Sequence, residues 1–168
     1  KFIAFEPSIN NFNLLSANTF INQIHQKGDL YNLALSNKIT KGYLKLFHAN
    51  NSGDFRIVKK NNNTKKVQLN ILDNFTKKLN KNNSLIFIDA QGHEPEIFLG
   101  GKKTLKKKIP IVFELEPDII KMSPNNIFSS IKHYKYLIDL RNDEINEMNL
   151  ANFLKLFSFS IFFDLFQS

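Results

Sequence analysis

Short apolar runs that end in a carboxylate occur three times along the chain, and this pattern constrains the fold most strongly. The pairs are Phe2-Ile3-Ala4-Phe5 with Glu6, Leu85-Ile86-Phe87-Ile88 with Asp89, and Ile109 to Phe113 with Glu114. Continuous apolar runs of this length are typical of strands buried on both faces of a parallel sheet. Segments with apolar residues at helical spacing separate them. The sequence therefore predicts an α/β fold with a mostly parallel sheet and helices on both faces.

The intervening segments predict further elements. The expected helices are Phe12 to Ile24, Leu72 to Leu79, Pro95 to Leu105 with an interruption at Gly100-Gly101, and Asn125 to His133; the further strands are Leu30 to Leu35 and Tyr136 to Leu140. Pro95 is expected at the first helical position. Residues 42–72 alternate between short apolar segments and polar turns, which indicates antiparallel or edge strands and loops. Without a repeat or a break in composition, residues 1–168 are predicted to form a single domain.

The basic composition does not favour nucleic-acid binding. The formal net charge is +8, but the 23 basic residues comprise 21 lysines and only Arg56 and Arg141. Proteins that read nucleic acid depend on the planar arginine fork, so no nucleic-acid partner is expected. The chain is also rich in asparagine, so a biased composition accounts for much of the charge. The absence of cysteine excludes disulfides, Cys-based metal sites and a thiol nucleophile.

Neither a membrane span nor a signal peptide is evident. The longest apolar stretch, Leu150 to Phe166, is interrupted by Asn152, Lys155 and Asp164, and a bilayer span needs about 18 uninterrupted apolar residues. We expect this stretch to be a Phe-rich element that packs on the domain; a helix on a membrane surface is the alternative. A cytoplasmic location is expected. The chain starts directly in a strand, which suggests that it begins inside a fold.

The three carboxylates are expected at one edge of the sheet, because ligands of open parallel sheets bind beyond the carboxyl ends of the strands. Such an edge suits hydroxyls, amines or a cation. Glu6 could accept both hydrogen bonds of a ribose diol. The alternative for each carboxylate is that it caps the helix that follows.

The turn after the second run, from Asp89 to Glu94, is dense in polar residues. His93 is a candidate general base, because the ordinary pKa of histidine lies near neutral pH. The alternative is that its ring only bonds the turn in which it lies. His25, His48 and His133 are expected to be surface or structural residues. Gly-rich phosphate loops, the H-E-x-x-H zinc signature and the G-x-S-x-G motif are absent from the sequence.

Several of these segments together resemble a known family. They are Ala4-Phe5-Glu6-Pro7, Asn32-x-Ala34-Leu35-Ser36, Leu72-Asp73-Asn74-Phe75, Ile88-Asp89-Ala90-Gln91-Gly92-His93-Glu94-Pro95-Glu96-Ile97-x-Leu99-Gly100-Gly101 and Ile111-Val112-Phe113-Glu114-Leu115. In this order they are similar to the FkbM family of S-adenosylmethionine-dependent methyltransferases. The resemblance covers roughly residues 2 to 120.

The resemblance implies a Rossmann-like class I methyltransferase fold that methylates a hydroxyl of a sugar, glycan or secondary metabolite, with S-adenosyl-L-methionine as cofactor. By position, Glu6 would hold the cofactor's ribose hydroxyls, and Ala34 and Leu35 would lie along its adenine. Asp89, with His93 and Glu94, would form the catalytic side. Gln91 and Glu114 would contact the acceptor.

The chain departs from this family pattern in two places. The strand and acidic Gly-rich loop that should precede Glu6 are missing, so the sheet is expected to lack its first strand and this chain alone to bind cofactor poorly or be inactive. Gln91 replaces a glutamate that many relatives carry, which weakens the argument for a metal site.

Two alternatives remain open from the sequence. A hard cation could be gathered by Asp89, Glu94 and Glu114 and acidify the acceptor hydroxyl, although no spacing requires a metal. The domain could instead be a non-catalytic methyltransferase-like module that binds an anionic polymer or membrane through the lysine stripe (Lys102, Lys103, Lys106, Lys107 and Lys108). The sequence does not identify the acceptor or the oligomeric state.

Overall fold

The computed structural model describes residues 1–77, 79–114, 124–140 and 144–155. The strands in this part of the chain are β1 (Phe2–Phe5), β2 (Gly28–Tyr31), β3 (Ala34–Leu35), β4 (Thr40–Leu46), β5 (Phe55–Val58), β6 (Lys65–Asn70), β7 (Ile86–Ile88), β8 (Ile111–Phe113), β9 (Tyr136–Asp139) and β10 (Glu144–Glu147). The helices are α1 (Ile9–Ile21), α2 (Glu94–Gly100), α3 (Lys102–Lys106) and α4 (Pro124–Ile131), and residues 150–155 are also helical. Single 3₁₀ turns occur at His25–Lys27 and Leu72–Asn74.

The strands pair in four groups. Two are parallel pairs: β1 with β2, where Phe2 lies opposite Gly28, and β7 with β8, where Ile86 lies opposite Ile111. The third is a mixed sheet in the order β3-β6-β4-β5, with β3 parallel to β6 and the other two ladders antiparallel. The fourth is the antiparallel pair of β9 and β10. In the described residues, these ladders do not form the single, mostly parallel sheet that the sequence predicts.

The strand predicted from Leu30 to Leu35 is wrong, because this stretch belongs to two different sheets. β2 ends at Tyr31, and β3 begins at Ala34 and pairs with β6. Between them, the side-chain amide of Asn32 donates to the carbonyl of Glu6 at 2.8 Å and to that of Pro7 at 3.2 Å. The chain is thus tied to the end of β1 at the point where it changes sheets.

The expectation that the three apolar runs are buried on both faces is also wrong, since β8 of the third run is only partly buried along its length. All four residues of β1 are partly exposed, and the side chains of Leu85 and Phe87 are 62% and 73% exposed. β7 alternates instead, with Ile86 and Ile88 buried. In the described ladders β1 pairs only with β2 and β7 only with β8. Each strand therefore leaves one edge unpaired, and both strands border one cleft.

The main hydrophobic core lies around α2, α3 and α4. Its fully buried members include Phe98, Leu105, Ile109, Ile127 and Phe153. The Phe98 ring packs edge-on against Phe113 of β8, with ring centroids 5.2 Å apart. The hydroxyl of Tyr134 donates to the carbonyl of Ile109 at 2.7 Å, and burial raises the pKa of Tyr134 to about 12. This core fixes the helices that follow β7.

The predicted interruption at Gly100-Gly101 is present, since α2 ends at Gly100 and α3 begins at Lys102. A Cβ on Gly100 would lie 2.0 Å from the carbonyl oxygen of Ser36, so only glycine fits there. α2 begins at Glu94, which puts Pro95 one residue later than expected.

The helix predicted from Leu72 to Leu79 is only a 3₁₀ turn, Leu72–Asn74. Its Asp73 carboxylate caps another helix instead of its own: it accepts the N–H groups of Lys103 at 3.1 Å and of Thr104 at 2.8 Å. These donors lie in the first turn of α3, where backbone N–H groups lack partners within the helix. Asp73 therefore holds α3 against the turn.

The Phe-rich segment predicted from Leu150 to Phe166 is helical over residues 150–155, and the remainder lies outside the described residues. The described helices contain none that is both long enough and apolar enough to cross a bilayer.

Candidate functional site

The cleft between β1 and β7 has a volume of about 360 Å³, which is within the usual size of small-molecule sites. The carboxyl ends of both strands open into it, so Glu6 and Asp89 border the same cavity. Other lining residues come from α1, β3, the β4–β5 hairpin, β7 and the turn before α2. They include Asn11, Ala34, Leu35, Gly53, Ile57, Phe87, Gln91 and His93.

Glu6 lies directly after β1, where it lines the cleft. Its Oε1 accepts the backbone N–H of Ser8 at 2.7 Å, and its own N–H donates to the carbonyl of Tyr31 at 3.1 Å. Burial raises the pKa of this carboxyl group, and the Ser8 hydrogen bond partly opposes the shift. The second oxygen, Oε2, has no hydrogen bond to a described residue, so it can accept one from a ligand.

Ala34 and Leu35, which the family resemblance places along the adenine of the cofactor, form β3 and line the cleft. Ala34 is buried and Leu35 half-buried. The exposed ring of Phe87 and the side chain of Ile3 add apolar surface from β7 and β1. The cleft therefore combines apolar walls with carboxylates at the strand ends, a distribution typical of ligand sites.

Gln91 bridges two of the predicted carboxylates. Its Nε2 donates to Asp89 Oδ1 at 2.9 Å and to Glu114 Oε2 at 3.2 Å. Its backbone is left-handed, with φ of 51°, and the next residue, Gly92, has φ of 87°. Asp89 and Gln91 line the cleft, whereas Glu114 lies behind Gln91 at the end of β8. The structure thus brings the three side chains together through an amide.

His93 lines the cleft at the N-cap of α2. Its Nε2 lies 3.0 Å from Ser36 Oγ, and its Nδ1 lies 3.7 Å from Glu96 Oε2. Burial lowers the pKa of the imidazole, and the Glu96 carboxylate partly opposes that shift. The ring is therefore neutral at neutral pH.

Glu94 does not line the cleft, although the sequence places it with the catalytic residues. The residue is buried, with 2% exposure, and its Oε1 accepts the backbone N–H of Ala90 at 2.8 Å. Its Oε2 is buried without a hydrogen-bond partner in the described residues. Burial raises the pKa of Glu94, and the charge of Asp89 adds to the shift. Through this hydrogen bond, Glu94 stabilises the turn from Asp89 to His93.

The cation-binding alternative finds little support in this geometry. The described residues contain no group of three or more His, Cys, Asp or Glu side chains placed to hold a metal ion. Of the three carboxylates proposed for it, Glu94 bonds the backbone of Ala90, and the amide of Gln91 lies between Asp89 and Glu114.

The sequence did not identify two contributors to the site. One is Ser36, whose hydroxyl bonds His93. The other is the tip of the β4–β5 hairpin, which approaches the cleft through Gly53 and is tied to α1 because Asn11 Nδ2 donates to the carbonyl of Ser52 at 2.8 Å. Both contacts join distant parts of the chain, so no local sequence pattern could predict them.

One member of the lysine stripe points inward. Lys107 Nζ donates to the carbonyls of Thr76 at 2.6 Å, Lys77 at 3.1 Å and Leu79 at 3.1 Å. Lys102, Lys103, Lys106 and Lys108 are exposed. The ammonium group of Lys107 thus stabilises a loop.

Comparison with known proteins identifies the family. A family model described as the methyltransferase FkbM domain matches residues 1–138, which is most of the chain. No curated protein and no solved structure matches the sequence. The family match implies an α/β methyltransferase fold and a methyltransferase activity, and it covers the strands, turns and helices that form the cleft. The chain therefore belongs to the FkbM methyltransferase family.

Proposed function

We propose that the cleft between β1 and β7 binds S-adenosylmethionine and that the protein methylates a hydroxyl oxygen of a sugar, glycan or secondary metabolite. The observation that carries this proposal is the juxtaposition, in one cavity, of Glu6 at the end of β1 with Asp89 and His93 after β7. A carboxylate that suits a ribose diol thus lies in the same cavity as groups that can remove a proton.

The residues present fit this cofactor. Glu6 has one carboxylate oxygen fixed by Ser8 and the other available for the ribose hydroxyls. Ala34 and Leu35 provide an apolar surface for the adenine. Asn32 holds the Glu6-Pro7 turn through both of its carbonyls, which fixes the position of the Glu6 backbone. We also propose that β1 and β7 belong to one mostly parallel sheet, although each is paired with a different strand in the described residues.

When bound, S-adenosylmethionine supplies a methyl group already activated on a sulfonium. The chain's own residues then have two tasks, to orient the acceptor hydroxyl and to remove its proton. Gln91 fixes Asp89 through Oδ1, and Asp89 Oδ2 has no hydrogen bond within the described chain. His93 is neutral at the same rim. Either Asp89 or His93 accepts the proton, directly or through a water molecule. Gln91, which lines the cleft, contacts the acceptor, whereas Glu114, predicted to do the same, is not among the lining residues and acts through its hydrogen bond with Gln91.

Binding of S-adenosylhomocysteine, measured by isothermal titration calorimetry, tests the cofactor half of this proposal. In the full natural chain, Glu6→Gln should weaken binding about 10- to 100-fold, because a hydrogen bond to a charged group contributes roughly 1.5–3 kcal/mol. Glu6→Gln keeps an acceptor for Ser8. Asp29→Asn, which removes one charge from an exposed position of β2, is the matched control and should leave affinity unchanged. Equal affinity in Glu6→Gln and the wild type would refute the assignment of Glu6.

Turnover tests the acceptor half. A panel of sugar, glycan and secondary-metabolite hydroxyls should include an acceptor that receives the methyl group on oxygen, detected by mass spectrometry. Transfer only to nitrogen, carbon or sulfur would overturn the proposal. The non-catalytic alternative predicts binding to anionic polymer that weakens steeply with salt. The cytoplasmic location remains a prediction.

A further inference from the structure

We propose that Ser36 is a positioning residue of this site: its hydroxyl fixes the ring of His93, so that Asp89 alone accepts the proton of the substrate hydroxyl. This inference rests on the proposed function, since it decides between the two proton acceptors that the cleft offers.

The backbone of Ser36 is held rigidly. Ser36 is buried, with 3% exposure, and its N–H donates to the carbonyl of Asn70 at 2.7 Å, directly after β3. Its carbonyl oxygen lies against Gly100, where even a methyl group would overlap with it. The backbone that carries this hydroxyl is therefore fixed between β6 and α2.

This hydroxyl lies 3.0 Å from His93 Nε2 and joins two parts of the chain that are 57 positions apart. The other ring nitrogen, Nδ1, faces Glu96 Oε2 at 3.7 Å. A carboxylate can only accept a hydrogen bond. The arrangement thus favours the tautomer with hydrogen on Nδ1, with Nε2 accepting from the Ser36 hydroxyl.

In this arrangement both nitrogens of His93 are directed to protein groups, although the ring lines the cleft. A ring held in this way has no free lone pair for a substrate. Asp89 differs, because within the described residues its Oδ1 alone is bonded, to Gln91 at 2.9 Å. The second oxygen can accept a proton from an acceptor hydroxyl. His93 contributes a fixed wall of the cleft.

Nitrogen-15 NMR of the imidazole rings tests the role of Ser36 without any activity assay. The wild type should show His93 with hydrogen on Nδ1. Ser36→Ala should move the ring toward the Nε2-protonated form or a mixture of both, whereas Ser16→Ala, which removes a hydroxyl bonded to the carbonyl of Phe12 in α1, should change nothing. An Nε2-protonated ring in the wild type, or an unchanged spectrum in Ser36→Ala, would overturn the proposal. Glu96→Gln should also shift the tautomer balance. Because Glu96 is partly exposed, we expect this variant to fold.

Kinetics in the full natural chain test the assignment of Asp89. Asp89→Asn should lower kcat about 100-fold or more, the usual contribution of a general base. His93→Asn and Ser36→Ala should each lower it less than about tenfold, and the double variant should lose no more than His93→Asn alone, because the two residues act as one unit. A loss in His93→Asn equal to that in Asp89→Asn would overturn the proposal. A wild type that binds no S-adenosylhomocysteine would instead refute the proposed function, and the NMR result on Ser36 would still stand.

Discussion

The carboxylate of Asp73 lies 2.8 Å from both the backbone nitrogen and the hydroxyl oxygen of Thr104, and so caps a helix 31 positions away. A third bond, from the N–H of Lys103 at 3.1 Å, completes the cap. The hydroxyl of Thr104 also contacts that of Thr76. The Leu72-Asp73-Asn74-Phe75 segment therefore has a structural role, outside the lining of the cleft.

Asp73→Ala should lower the free energy of unfolding by about 1–3 kcal/mol, because it removes a cap and leaves buried donors around Thr104 without a partner. Urea denaturation measures this change. Asn74→Ala, at an exposed position of the same turn, is the control and should stay within about 0.5 kcal/mol of the wild type. Equal stability of the two variants would show that the cap contributes nothing.

Gly100→Ala should destabilise the fold strongly, by roughly 2 kcal/mol or more, because the new methyl group would lie 2.0 Å from the Ser36 carbonyl oxygen. Relief would require α2 to move away from β3, which would also displace His93. Gly53→Ala is the matched control, since its Cβ would meet only the side-chain oxygen of Asn51 at 3.2 Å. Thermal unfolding of both variants checks the prediction, and similar Tm values would contradict it.

Glu94 should make stability depend on pH. Burial raises its pKa in the folded state above the ordinary 4.5. As the pH rises above 4.5, the unfolded chain therefore releases this proton before the folded one does, and the free energy of unfolding falls until the folded group also ionises. The amide in Glu94→Gln does not titrate, so the free energy of unfolding of this variant should fall less steeply as the pH rises. Urea denaturation at several pH values compares the curves, and parallel curves would refute the prediction.

Glu6 should make cofactor binding depend on pH in the opposite sense. Burial raises its pKa above 4.5, and the protonated form has lost one acceptor for ribose hydroxyls. The affinity for S-adenosylhomocysteine should therefore fall as the pH is lowered from neutrality toward 4.5. In Glu6→Gln the affinity should be lower and should change less across this range. A wild-type affinity that is constant over this range would be inconsistent with an ionised Glu6 in the site.

Local sequence patterns placed two carboxylates of the cleft but predicted less of the sheet. The ends of β1 and β7 could be predicted because an apolar run stops at a carboxylate, and that placed Glu6 and Asp89. The division of Leu30 to Leu35 between two sheets could not, because it depends on hydrogen bonds from Asn32 to the end of β1. The burial of β1 and β7 was overestimated because an apolar run does not reveal whether other elements pack over both faces of a strand.

The roles of individual polar residues were the hardest to predict. Glu94 belongs to the motif that suggested catalysis, yet its carboxylate bonds the backbone of Ala90. Ser36 belongs to another segment, and only the fold brings its hydroxyl to His93. Such contacts depend on how β3 and α2 pack, which periodicity and spacing do not encode.

Mapping of S-adenosylhomocysteine by backbone NMR of the full natural chain tests the central claim most directly. The cleft account predicts saturable shifts at Glu6, Ala34, Leu35 and Asp89, with none at the exposed Lys102 and Lys106 of α3. Shifts confined to the lysine surface, or the absence of binding, would contradict the claim that the cleft between β1 and β7 is the cofactor site.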